Sequence, residues 1–164
     1  MEVIVLDSSA FYSGFAFTEL NLFYTTEDVL KEVSHLRLSK IALESLKIKL
    51  DEGKREHLEK VKRMAEVSGD KLSKTDVSVL ALGLKLKEEN LNPIIISDDY
   101  SLCNVATLLG LKVKPAITKG IDKIIYWIYF CGACGKIYRE DKGVCEICGS
   151  PLKRKPRRKY KKDK

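Results

Sequence analysis

No stretch of this chain is apolar for long enough to cross a bilayer, and its first residues lack the basic-then-apolar order of a secretory signal. The expectation is a cytoplasmic protein. Disulfide pairing is not expected either, because none of the five cysteines accompanies a secretory signal and four of them fall in two close pairs near the C-terminus. Histidine is scarce: His35 and His57 stand alone in helical or interhelical surroundings and read as ordinary polar residues. Net positive charge is missing from most of the chain. The formal net charge is +7, yet Lys153 to Lys164 alone holds nine Lys or Arg and one Asp, leaving 21 basic against 22 acidic residues before it. The charge is therefore a local device on a near-neutral body. It reads as a phosphate-binding arm made of Lys153, Arg154, Lys155, Arg157, Arg158 and Lys159, with a solvated, disordered terminus as the alternative. What is present, 164 residues with 45% apolar content, suits one ordinary domain and a small appendage.

The first strand is legible at once. Met1-Glu2-Val3-Ile4-Val5-Leu6 is continuously apolar after Glu2 and stops at Asp7-Ser8-Ser9, the pattern of a parallel strand buried on both faces. Pro93 to Ser97 repeats it and stops at Asp98-Asp99. In open parallel sheets ligands bind beyond the carboxyl ends of the strands, so two strands ending in acid predict an acidic pocket at one rim. Between them Leu22–Thr26 predicts a short strand and Thr25 or Thr26 a helix cap, with Glu27 and Asp28 in the first turn and Val29, Leu30 and Val33 inward. Glu32 lies on that helix, near its apolar side. Helical patterns run over Leu36–Leu50 and Glu56–Val67, parted by Gly53. Ser73-Lys74-Thr75-Asp76 caps a longer helix through Leu84. A helix from Asp99 ends at Gly110, and Leu111–Val113 is a last short strand. This order is that of an α/β domain with a central parallel sheet and helices on both sides. The division expected is 1–114 for that domain, 115–125 as linker or crossover, 126–152 for a small β domain and 153–164 as basic tail.

Cys131-Gly-Ala-Cys134-Gly and Cys145-Glu-Ile-Cys148-Gly are two knuckles separated by ten residues. Four thiolates at this spacing favour one tetrahedral Zn²⁺ in a ribbon, and no ligand position is left open, so the site is structural. Iron of the rubredoxin kind is the alternative ion. The run Ile124 to Phe130 is a strand by its β-branched and aromatic content, and Lys136–Arg139 with a turn at 141–143 makes the hairpin between the pairs.

Asp7, Glu32, Asp76 and Asp98-Asp99, far apart in sequence, all map to strand ends or helices at one rim. Hard oxygen ligands of that kind suit Mg²⁺ or Mn²⁺, which can activate water against a phosphodiester. In their order and context, Val-Ile-Val-Leu-Asp7-Ser-Ser, Thr-Thr-Glu-Asp-Val-Leu-Lys-Glu32, Leu-Ser-Lys-Thr-Asp76 and Ile-Ser97-Asp98-Asp99-Tyr resemble the four acidic motifs of PIN-domain ribonucleases, over residues 1 to about 115. With the four-cysteine ribbon behind it, the chain resembles in particular the PIN endoribonucleases that mature the 3′ end of small-subunit ribosomal RNA. The resemblance implies cleavage of single-stranded RNA by metal-assisted water attack, with 5′-phosphate and 3′-hydroxyl products. Asp7, Asp76 and Asp99 would then hold the catalytic metal, with Asp98 as the alternative to Asp99, Glu32 would be a ligand or water-orienting base, and Ser8 or Ser97 would position the metal or a phosphate. The partner implied is precursor small-subunit rRNA in the pre-ribosomal particle.

Two other acid-bearing α/β families fit poorly. A receiver domain needs an acidic pair at the first strand, and a haloacid-dehalogenase phosphatase needs an Asp two residues after the first, where this chain has Ser9. A non-catalytic RNA-binding or ribosome-assembly adaptor and a toxin-type PIN ribonuclease remain as alternatives.

Overall fold

The structure, a computed structural model, describes residues 1–15, 23–36, 48–117, 120 and 123–157. The expected helical stretch around Ile41 and Leu46, and Arg158 and Lys159 of the basic run, lie outside the described residues. Five strands, β1 (Glu2–Leu6), β2 (Phe23–Thr25), β3 (Ile48–Leu50), β4 (Asn92–Ile96) and β5 (Lys112–Lys114), form one sheet in the order β3-β2-β1-β4-β5. Every pairing in it is parallel. Around the sheet lie α1 (Ser8–Tyr12), α2 (Glu27–Val33), α3 (Arg55–Ser68), α4 (Lys74–Glu88) and α5 (Tyr100–Leu108), giving the α/β/α arrangement expected.

β1 and β4 run side by side in full register, from Glu2 opposite Asn92 to Leu6 opposite Ile96. Both strands are buried through their apolar residues, which is why they lack alternation. The consequence of that register is that Asp7 and Ser97 emerge next to each other; the Asp7 N–H still donates to Ile96 O at 3.3 Å. Strand order turns outward on either side of this β1–β4 pair, so the rim above it is the topological switch point.

α4 is buried almost all round, from Val77 to Leu84 without interruption. A helix with no wet face cannot rotate, which fixes the acid in its first turn. Chain and helix come close enough at Gly53 that a Cβ there would stand 2.5 Å from the Ala81 backbone, so only glycine fits. α4 begins with a reciprocal capping box: Ser73 Oγ accepts from Asp76 N at 3.1 Å and Asp76 Oδ2 from Ser73 N at 2.7 Å.

A second sheet is antiparallel, in the order β7-β6-β8, with β6 (Trp127–Cys131), β7 (Ile137–Tyr138) and β8 (Leu152–Pro156). Two elements differ from expectation. Ile48–Leu50 is the parallel edge strand β3, not the end of a helix; Ile48 and Leu50 alternate with Lys49 and Asp51, a period of two that three residues show too briefly to outweigh the helical spacing before them. Lys153 to Pro156, expected as the start of a tail, is strand β8, paired with β6 from Cys131↔Leu152 to Trp127↔Pro156. An edge strand of Lys and Arg carries no apolar pattern; its structure comes from the neighbour it pairs with.

The small sheet is seated on the first domain. Asp70, 7% exposed, accepts from Trp127 Nε1 (3.0 Å), Asn104 Nδ2 (2.6 Å) and Ser68 Oγ (2.7 Å). Asn104 also exchanges hydrogen bonds with the Ile125 backbone, giving to its carbonyl at 2.7 Å and taking its N–H at 3.0 Å. The Tyr129 hydroxyl donates to Gly69 O at 2.9 Å, and Lys71 pairs with Asp141.

Candidate active site and metal centre

At the rim, Asp7 is 4% exposed and its Oδ2 accepts from Ser97 Oγ at 2.7 Å and Ser9 Oγ at 3.0 Å. Each hydroxyl in turn accepts a backbone N–H of the loop after β4: Ser97 Oγ that of Asp99 (3.1 Å), Ser9 Oγ that of Asp98 (3.1 Å). The first acid is thus stitched to the segment that carries the last. Burial pushes the Asp7 carboxyl above its ordinary range, against the opposing pull of these hydrogen bonds.

Asp76 reaches the same place from α4. Its carboxyl is also raised, by burial first and then by the negative charges of Asp7 and Asp99. Asp99 caps α5, accepting from Leu102 N at 2.8 Å. Beneath them the buried Cys103 thiol, which donates to Ser97 O at 3.4 Å, is pushed up to about 12 by burial and by the charges of Asp99, Asp7 and Asp98. The charges of Asp7 and Asp99 thus bear on both Asp76 and Cys103. The oxygens of Asp7, Asp76 and Asp99 do not all lie within 4.8 Å of one another.

The neighbouring acids behave differently. Asp98 turns to the chain after β5 and accepts from the N–H groups of Ala116 (3.2 Å) and Ile117 (3.1 Å to Oδ2), so it braces the loop. Glu32 is exposed on α2, and its carboxylate has no hydrogen bond or ion pair among the described residues. The Ser8 hydroxyl is buried and likewise unpartnered. Ser9 was not among the residues expected at the site. Its signal was available: a hydroxyl two residues after a strand-ending Asp is placed to bond back to it.

The second centre is the cysteine cluster. Cys131, Cys134, Cys145 and Cys148 hold their sulfurs within 4.8 Å of one another, with 3.3 Å between Cys131 and Cys148 and 3.4 Å between Cys134 and Cys145. Tetrahedral Zn–S bonds of 2.3 Å set sulfurs about 3.8 Å apart, so the cage has the size and donor set for that ion. Around it, Cys134 N–H donates to Cys131 Sγ at 3.4 Å, and the Tyr138 hydroxyl, which accepts Glu146 N–H at 3.1 Å, faces Cys145 Sγ at 3.2 Å. These donors orient thiolates. The grouping Glu56, His57 and Glu88 is of another kind. His57 Nδ1 accepts Lys54 N–H at 3.0 Å, so the ring proton sits on Nε2, 2.8 Å from Glu88 Oε2, and no lone pair is left there for a metal.

An acidic pocket at the switch point of a parallel sheet, with a four-thiolate ribbon docked beside it, defines a nuclease-type α/β/α domain joined to a zinc ribbon. Comparison with known proteins agrees. Residues 4–86 match the family described as the PIN domain of ribonuclease. The chain is 43% identical to Endoribonuclease Nob1 of Pyrococcus abyssi over 94% of both chains, and 40% identical to Endoribonuclease Nob1 of Methanocaldococcus jannaschii over 94% of this chain and 78% of that one. Ribonuclease VapC1 of Thermoplasma acidophilum is 44% identical over 60% of this chain and 50% of its own length. The chain belongs to the Nob1 endoribonucleases of the PIN-domain family.

Proposed function

We propose that this protein is a divalent-metal-dependent endoribonuclease that cuts single-stranded precursor small-subunit rRNA at its 3′ end in the pre-ribosomal particle, in the cytoplasm. The observation that carries the reading is the convergence of Asp7, Asp76 and Asp99 on one rim, where Asp7 and Asp99 raise the Asp76 carboxyl. Unneutralised carboxylates so placed are costly, and a cation is the natural counter-charge. Asp7, Asp76 and Asp99 would hold Mg²⁺ or Mn²⁺, which when bound would supply charge neutralisation at the phosphodiester and a more acidic water for hydrolysis to 5′-phosphate and 3′-hydroxyl ends.

The chain's own residues supply position. Ser97 and Ser9 aim Asp7 and lock the β4–α5 loop, so that Asp99 is presented from a helix cap. Asp98 keeps that loop tied to residues 116 and 117, which leaves Asp99 as the acid at the rim. Glu32, exposed on α2, would orient the attacking water, whereas the Ser8 hydroxyl is buried and out of reach of a phosphate. Zn²⁺ in the cysteine cage maintains the ribbon. Lys153, Arg154, Lys155, Arg157, Arg158 and Lys159 neutralise RNA phosphates.

The test is cleavage of a precursor-rRNA fragment with and without Mn²⁺, by the wild type and by Asp7→Asn. Metal-dependent cleavage lost in the variant is the expected result. RNA that the wild type binds but never cuts would leave the adaptor reading in its place.

A further inference from the structure

Two clefts lie where the ribbon meets α3, and neither belongs to the acidic rim. One, of about 650 Å³, is lined by Lys62, Gly69, Leu72, Val77, Tyr129 and Arg139, among others; its neighbour, of about 410 Å³, by Val67, Tyr126, Trp127, Ile128, Arg139 and Arg157. They share Glu66, Arg139 and Glu140, so together they make one groove. Its near end touches Leu72 and Val77, which flank the capping box of Asp76. Its far end is aromatic and arginine-bearing.

Charge within the groove is mixed. Asp141 pairs with Lys71, Glu140 lies 3.7 Å from Lys142, Asp70 accepts only from the neutral donors of Trp127, Asn104 and Ser68, and Glu66, on both clefts, has no cation partner among the described residues. Lys62, Arg139 and Arg157 have no carboxylate partner among the described residues. Arg157 is held at the mouth by its N–H bond to Tyr126 O at 2.7 Å. Cations unpaired along a groove, with an aromatic at its end, are the elements of a single-strand platform: phosphates meet the cations and a base stacks on a ring or a guanidinium plane. The far cleft, at about 410 Å³, is large enough to admit a base.

We propose that the groove between α3 and the ribbon is a nucleotide-binding subsite for single-stranded RNA, in which Arg139 and Lys62 contact the backbone of the strand leaving the acidic rim and Tyr126 with Arg157 receives one base. This rests on the reading of the rim as the site of RNA cleavage. The groove exists only because the ribbon is docked, which gives the Asp70 network a purpose in RNA recognition: it builds one wall of the subsite against the other.

The experiment uses the full chain with Asp7→Asn, so that RNA is bound and not cut and the result is independent of whether the wild type is a nuclease. Binding of a single-stranded oligoribonucleotide is measured by fluorescence anisotropy, with an abasic nucleotide moved along it one position at a time. One position is expected to lose about tenfold in affinity when abasic, the range of a single stacked base. Adding Tyr126→Ala should cost a similar factor with the intact RNA and abolish the abasic effect at that position. Arg139→Ala should weaken binding of intact and abasic RNA equally. Retention of one zinc per chain shows that each variant keeps its ribbon. Equal affinity at every abasic position, or an abasic effect that survives Tyr126→Ala, would overturn the subsite while leaving the cleavage assay of the rim untouched.

Discussion

Asp7 carries a contradiction in its own surroundings, a buried carboxylate supplied with hydroxyl donors and yet raised above its ordinary range. Asp76 shares it, with repulsion from Asp7 and Asp99 added to burial. The sign of the linkage follows. A carboxyl whose folded pKa lies above its unfolded one costs the native state stability as the pH rises above the unfolded pKa, and below that pKa the cost is gone. Asp7→Asn and Asp76→Asn should therefore raise the melting temperature of the metal-free protein at pH 7, each keeping an amide oxygen for its serine partners. The gain should vanish as the pH falls through the carboxyl range, and Mg²⁺ should stabilise the wild type more than either variant. Thermal melts at pH 7 and pH 3.5, with and without metal, check this; lower stability of both variants at pH 7 would mean the acids are structural. Both should have lost metal-dependent cleavage. The three acids of the rim were legible because strand ends and helix caps are marked in the sequence by where apolar runs stop. Ser9 was not read, although its place two residues after a strand-ending Asp suits a hydroxyl that bonds back to it. Asp70 and Asn104 were not read either, because a residue that bonds across domains leaves no periodic trace.

At the level of elements, α3 is a strut. His57, 1% exposed, closes its first turn through Lys54 N–H and reaches Glu88 at the end of α4. Its other end, Ser68-Gly69-Asp70, is the ribbon's seat. Gly69 has φ +76°, and a Cβ there would come within 2.8 Å of Trp127 O, so helix termination and close docking demand the same residue. Asp70→Ala should remove the acceptor of Trp127 Nε1 and one of the two acceptors of the Asn104 amide at a part-buried interface, at a cost of about 1 kcal/mol. The expected readout is a shift in the fluorescence of Trp127, the single tryptophan, together with faster proteolysis between the domains. An unshifted spectrum and unchanged melting would show that apolar contacts alone hold the ribbon. β3 and β8 mark what was hidden at this scale. Both are edge strands whose conformation is imposed by the neighbour they pair with, and lysines at β3 and β8 gave no sign of that partner.

Across the whole molecule, two sheets are stabilised in different ways: the parallel one by an apolar core that runs from Val3 to Leu111, the antiparallel one by Tyr129, Tyr138, Cys131 and Cys145 with Leu152 against them. So few residues cannot hold about 30 on their own, and metal binding must supply the difference. Chelation or Cys145→Ser should unfold residues 127–156, expose the seat on α3, and leave the amide signals of residues 1–114 in place away from that seat; their general collapse would mean one cooperative unit. RNA affinity divides along the same line. Lys153, Arg154 and Lys155 sit on β8, where Arg154 lies 4.5 Å from the Trp127 ring and Lys155 4.5 Å from that of Phe130, so their positions are fixed by the sheet. Removing residues from 131 onward would confuse loss of charge with loss of the ribbon. Ending the chain after Arg157 separates them: it keeps β8 and the bond from Arg157 to Tyr126, and removes five Lys or Arg and one Asp. If every one of those cations neutralises a phosphate of single-stranded RNA, the slope of log K against log salt should flatten by up to about 3.5, at about 0.7 per contact. A salt titration of the truncated chain against the full one reads the number directly. An unchanged slope would place all the phosphate contacts on the folded body, and the basic run past Arg157 would then serve something other than RNA.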